Sequence, residues 1–129
     1  MEVLSSRTII VTDDLARARA FYEGLLGLQV YREYGAAGTV TGVVLFLGGG
    51  HLELATGTAT RAGEAVKLWL QVPDAHAEQA RLVAAGVEIR KPAGRMPWGL
   101  DELWVVDPHG VELRVVTVPE DHPIRRRLD

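Results

Sequence analysis

The sequence predicts an α+β protein built from two βαβββ modules, and three observations carry that prediction. The first is a repeat: RTIIVTDD at residues 7–14 and KLWLQVPD at residues 67–74 each place a basic residue seven positions before an aspartate. The second is that each is followed by a helix-like stretch closed by glycine, LARARAFYEGLLG in one copy and AHAEQARLVAAG in the other. The third is long-range spacing, for Glu53 falls 39 residues after Asp14 and Arg114 falls 40 after Asp74. Spacing held to one residue over such a distance points to a duplicated unit.

In chain order, residues 7–12 are rich in Ile, Val and Thr and read as a strand, after which Asp13 and Asp14 offer N-caps. Leu15, Phe21, Tyr22, Leu25 and Leu26 lay an apolar stripe along one side of the first helix, which Gly27 ends. Strands follow at about 28–34, 39–47 and 50–56, broken by Gly35, Gly38 and the Gly48–Gly50 triplet. Residues 57–64 are small and polar, lack periodicity and read as a linker. In the second copy 66–72 alternates as a strand, Pro73 and Asp74 open a helix, and Gly86 closes it. Strands near 87–91, 102–107 and 111–118 complete it, separated by the KPAGRMPWGL loop and the DPHG turn. The expected organisation is one domain over 1–129, with modules at 1–56 and 65–118 and a tail at 119–129.

The 129 residues, 47% hydrophobic and 24% charged, suit one compact core. A net charge of −3 provides no field for a phosphate backbone or an anionic membrane, so neither nucleic acid nor membrane is an expected partner. The basic run Arg125, Arg126 and Arg127 reads as a solvated tail. Without cysteine there is no disulfide, thiolate nucleophile or zinc–thiolate site. No apolar run approaches the roughly 20 residues of a membrane span, and MEVLSSRTII lacks a signal peptide's apolar segment, so a cytoplasmic location is expected. No Ser, His and acid grouping sits at a nucleophile elbow, and Gly48–Gly50 precedes a strand where a phosphate loop would precede a helix.

Alternation along the strands sorts their faces. Leu68, Leu70 and Val72 form the aliphatic side of their strand and are expected to meet the helix, which turns Lys67, Trp69 and Gln71 the other way. By the same parity Arg7, Ile9 and Val11 share a face, as do His51 and Glu53, and Glu112 and Arg114. Charged residues from four strands are thereby candidates for lining one surface.

DDLARARAFYEGLLGLQV resembles the first-helix signature of the vicinal oxygen chelate superfamily, which includes glyoxalase I, bleomycin-resistance proteins, fosfomycin-resistance enzymes and extradiol dioxygenases. MPWGLDELWVVDPHGVELRVV is similar to that superfamily's C-terminal stretch, so the resemblance spans nearly the whole chain. It implies two βαβββ modules forming a curved mixed β-sheet that encloses a cavity, and a homodimer. It also implies a divalent metal held by His, Gln or Glu at the positions matching Arg7, Glu53, Lys67 and Arg114. Only Glu53 fits that ligand set here, because arginine and protonated lysine have no lone pair to offer.

Arg7, Lys67, Arg114 and Glu53 together carry a formal charge of +2, which suits a carboxylate, phosphate or phenolate ligand. The structural reading is that Glu53 neutralises a neighbouring cation in a buried ion network. His51 and Glu53, two apart on a strand, are the one candidate metal pair, for Ni, Mn, Zn or Fe; an uninvolved strand-end histidine is the plainer reading. His76, His109 and His122 read as surface residues. Trp69, Trp98 and Trp104 are stacking walls or core residues, and Trp98, in a Gly- and Pro-rich loop, is the one with no obvious core role. The expected ligand-binding set is Arg7, Glu53, Lys67, Arg114, Trp69, Gln71, Trp98 and His51. The expected function is metal-independent binding of a small anionic or aromatic molecule, by bleomycin-resistance-like sequestration or as an uncharacterised enzyme. A metal-dependent glyoxalase-type lyase or isomerase and a ligand-free structural or interaction module are the alternatives.

Overall fold

The computed structural model of the chain describes residues 1–58 and 63–125, with Arg125 described by its backbone alone. The middle of the expected linker and the last residues of the tail, Arg126 and Arg127 among them, lie outside the described residues. The chain divides into two compact units, with the division between Arg61 and Ala62.

In the first unit β1 (Arg7–Thr12) leads into α1 (Leu15–Arg19), followed by β2 (Val30–Ala36), β3 (Thr39–Leu47) and β4 (Gly50–Thr56). The sheet is open, in the order β1-β4-β3-β2, with β1 parallel to β4 and the other pairs antiparallel. Asp14 caps α1, its carboxylate accepting the Arg17 N–H at 3.1 Å, while the Thr12 hydroxyl accepts the Asp14 N–H at 2.9 Å. The sequence reads as one continuous α-helix here, but the turns over Ala20–Leu25 are π-helical. That widening buries Phe21 and Tyr22 side by side, edge to face at 4.9 Å. Gly27 closes the helix at φ +74°, a conformation in which a Cβ would be strained.

The second unit repeats the plan with β5 (Lys67–Gln71), α2 (Ala75–Ala84), β6 (Glu88–Arg95), β7 (Asp101–Val106) and β8 (Glu112–Thr117), in the order β5-β8-β7-β6. Asp74 caps α2 by accepting the Ala77 N–H at 3.1 Å, and Gly86 closes it at φ +79°. Strand β6 runs four residues past the expected end at 91, through Pro92. Its register against β7 shifts between Lys91 and Gly94, so proline's missing donor falls in an irregularity of an edge strand. The side chain of Gln79 on α2 accepts the Ala93 N–H there at 2.5 Å.

Both modules place their aliphatic face under a helix. Ile10, Val43, Leu45, Leu52 and Leu54 are buried with Ala18 and Phe21 in the first, and Leu103, Val105, Leu113 and Val115 with Ala75 and Leu82 in the second. Each of the buried Val, Leu, Ile and Phe side chains contributes about 1.5–3 kcal/mol through removal from water. The opposite face is therefore free to carry polar and charged groups. No helix among the described residues is long and apolar enough to cross a membrane.

Candidate functional site

On the face of the first sheet turned away from its helix, β1 and β4 run in register, so Arg7 stands opposite His51 and Ile9 opposite Glu53. The Arg7 Nη1 donates to Glu53 Oε1 at 2.7 Å, and the Tyr34 hydroxyl donates to Glu53 Oε2 at 2.7 Å. Tyr34 reaches across β3 because its cross-strand partner is Gly42: a Cβ there would lie 2.1 Å from the Tyr34 ring. The hydrogen bonds from Tyr34 and then Arg7 hold the Glu53 carboxyl below the ordinary carboxylate range, and donating to Glu53 pushes the Tyr34 hydroxyl up. His51, on the same strand, sits edge-on to Tyr31 at 5.0 Å and near Phe46 at 5.5 Å.

Two predictions arise here. Gly42→Ala is expected to displace Tyr34 and cost about 1–2 kcal/mol through loss of its hydrogen bond and rotamer; chemical denaturation checks it, and unchanged stability would refute the close approach. Glu53→Gln is expected to cost about 1 kcal/mol at neutral pH, a modest figure because Arg7 is partly exposed. Because Glu53's folded pKa is lowered, its contribution is present above the ordinary carboxylate pKa and is lost as pH falls through the lowered one. The stability gap between the parent and Glu53→Gln, followed from pH 7 downward, should therefore narrow with acid.

The corresponding face of the second sheet has a denser cluster. Strand β8 lies between β5 and β7, so Lys67 stands opposite Glu112, while Arg114 has Trp69 opposite it on one side and Trp104 on the other. Glu112, only 6% exposed, accepts Arg114 Nε at 3.1 Å and Arg90 Nη1 at 3.3 Å, with Lys67 Nζ at 3.4 Å. Burial alone would raise its pKa, but the bonds from Arg114 and Arg90 and the charge of Lys67 outweigh burial and lower it. The Arg114 guanidinium lies 4.0 Å from the Trp104 ring centre, a cation–π arrangement. Trp104 Nε1 in turn donates to Glu102 Oε1 at 2.9 Å, and Trp98 Nε1 donates to Glu102 Oε2 at 2.5 Å.

The structure thus pairs Arg7 with Glu53 and places Lys67, Arg114 and Trp69 together in the second unit. Gln71 is exposed on the same strand as Lys67. Four residues enter that are not in the expected ligand-binding set: Tyr34, Arg90, Glu102 and Glu112. Strand parity already set Glu112 beside Arg114, but its partners required the neighbouring strands. Arg90 had no signal, since it reaches Glu112 across a strand pairing that no local pattern reveals.

The chain matches the family model of the Glyoxalase/Bleomycin resistance protein/Dioxygenase superfamily over residues 5–115. It belongs to that superfamily. Solved structures that resemble it include TioX from Micromonospora sp. ML1, at 23% identity over 89% of this chain and 98% of that one, with a TM-score of 0.73. The lactoylglutathione lyase from Agrobacterium tumefaciens is similar at 20% identity over 91% and 94%, TM-score 0.66. The fosfomycin resistance protein FosX from Listeria monocytogenes, solved with Mn(II) and 1S,2S-dihydroxypropylphosphonic acid, is similar at 13% identity over 98% and 100%, TM-score 0.78. At these identities the likeness is one of fold. No curated protein matches the sequence.

A divalent metal of the kind bound in FosX does not fit the residues present. Both oxygens of Glu53 are engaged by Arg7 and Tyr34, its strand neighbour His51 is packed among aromatic rings, and Glu112 is surrounded by three cations. Among the described residues no three His, Asp or Glu side chains group for a metal.

Proposed function

We propose that this chain binds a small anionic molecule through Arg114, Lys67 and Arg90, with Trp69 and Gln71 on the adjoining strand, and acts by sequestration without a metal. The observation that carries the reading is the sharing of one carboxylate, Glu112, by three cations that remain about a third exposed. Glu112 and the more distant Glu88, 3.8 Å from Arg90, leave one of the three positive charges unmatched, and that surplus suits a carboxylate or phosphate oxyanion. Arg7 and Glu53 form an internally neutral pair in the first unit and carry no such surplus. Sequestration is favoured over acid–base catalysis because Glu53, held by two donors with a lowered pKa, is a weak base.

Calorimetric titration with a panel of organic carboxylates and inorganic phosphate tests the proposal. Saturable binding that weakens with salt is expected, and its absence across the panel would sink the reading. Titration of chelator-treated protein with nickel, manganese, zinc and iron(II) tests the metal-free part; stoichiometric tight binding of any of them would overturn it. A homodimer is part of the proposal, because Ile9, Val11 and Phe46 lie exposed on the first sheet, where a second copy would cover them. Light scattering should give twice the 14.1 kDa chain mass, and a monomer at micromolar concentration would refute it. A cytoplasmic site of action accords with the absence of cysteine.

A further inference from the structure

Glu102 is 2% exposed and forms no ion pair among the described residues. A buried carboxylate ordinarily needs a cation, yet both oxygens here receive indole N–H groups, from Trp98 and Trp104. Trp98 remains 51% exposed although it is fixed twice, by its indole on Glu102 and by its carbonyl oxygen 3.0 Å from His122 Nε2. His122 Nδ1 accepts the Ile124 N–H at 3.2 Å, which assigns the Nε2–H tautomer as donor to Trp98. The loop is closed on itself by Met96 N–H to the Leu100 oxygen at 2.8 Å and by Gly99 N–H to the Met96 oxygen at 2.9 Å. Gly99, at φ +89°, leaves room for His122, whose ring a Cβ there would approach to 3.2 Å.

A large indole held rigidly while half in water is a wall available to a ligand. It is continuous with the anion site, because Trp98 and Trp104 converge on one carboxylate and Trp104 carries Arg114 on its face. Arg114 donates to Glu112 through Nε, and its Nη1 and Nη2 have no protein acceptor among the described residues. That free edge matches a planar carboxylate, and Trp69, 45% exposed, stands opposite Arg114 on the other side.

We infer that Glu102 is a positioning residue that makes this site selective for flat aromatic acids, by aiming Trp98 and Trp104 beside the carboxylate-binding edge of Arg114. The inference rests on the proposed anion site and adds the ligand class. An aliphatic acid would use the cations alone, whereas an aromatic acid would use the cations and the indoles.

The test compares the affinities of 2-naphthoate and butyrate, by calorimetry, for the parent protein, Glu102→Gln and Trp98→Ala. The parent should prefer naphthoate by about tenfold or more, the worth of about one good aromatic contact. Glutamine keeps only one acceptor for two indole donors, and Trp98→Ala removes only a half-exposed side chain, so it stays informative if the buried substitution impairs folding. Each variant should lose most of the naphthoate preference while binding butyrate like the parent. Equal binding of the two acids by the parent would overturn the inference while leaving the anion site standing. So would a variant that weakened both acids in proportion, the mark of a purely structural role. Binding of neither acid by the parent, with the carboxylate panel also silent, would remove both.

Discussion

Glu112→Gln is expected to cost about 2–3 kcal/mol of stability and, in the same protein, to raise the affinity for small organic anions about tenfold. The two effects have one cause. In the folded chain Glu112 is the nearly buried counter-charge of Lys67, Arg90 and Arg114, and the amide keeps its shape while deleting its charge. The stability loss stays below that of a fully buried pair because the three cations are partly hydrated. A ligand carboxylate then meets Lys67 and Arg114 without a counter-charge among the described residues, and Arg90 with only the exposed Glu88, instead of competing with Glu112. Denaturation and calorimetry on one preparation check both halves. A stability loss without any gain in anion affinity would show that the cations serve only the fold. Because the folded pKa of Glu112 is lowered, its stabilisation is present above the ordinary carboxylate pKa and lost as pH falls through the lowered value; the stability difference between parent and variant should shrink in acid.

Arg114→Met should abolish measurable binding of carboxylates, a loss of about a hundredfold, with a smaller effect on stability. Methionine keeps an unbranched apolar stem against Trp104 but removes the planar fork and the bond to Glu112. Lysine at this position should recover little, because a point charge cannot pair with both oxygens of a carboxylate or lie flat on the indole. Binding retained by Arg114→Met at parental strength would move the site elsewhere. Lys67→Met and Arg90→Met should each cost less, since among the described residues neither side chain lies on an aromatic ring.

The βαβββ repeat was legible because its signals are local. Asp14 and Asp74 cap helices through bonds to residues three positions on, and Gly27 and Gly86 end them at positive φ. Strand parity likewise separated Leu68 and Leu70 from Lys67 and Trp69, since alternation follows from backbone geometry alone. Two local readings differed from the structure for reasons outside their windows. The π-helical turns at Ala20–Leu25 bury Phe21 and Tyr22, and β6 passes Pro92 because the register shifts beside it and Gln79 from α2 takes the Ala93 N–H.

By itself the sequence determined the duplicated scaffold and the strand faces. Each follows from residue type and spacing along one strand or helix. The tertiary structure decided which charges meet. Arg7 is matched by Glu53 and Tyr34, whereas Lys67, Arg90 and Arg114 converge on Glu112, and Glu102 turns two tryptophans toward one point. Those groupings depend on strand order, on parallel register between β5 and β8, and on the glycine at 42 that lets Tyr34 cross a strand. The bonds to Glu53 join residues 19 and 46 positions apart and that of Arg90 to Glu112 spans 22, separations over which no local pattern constrains the pairing.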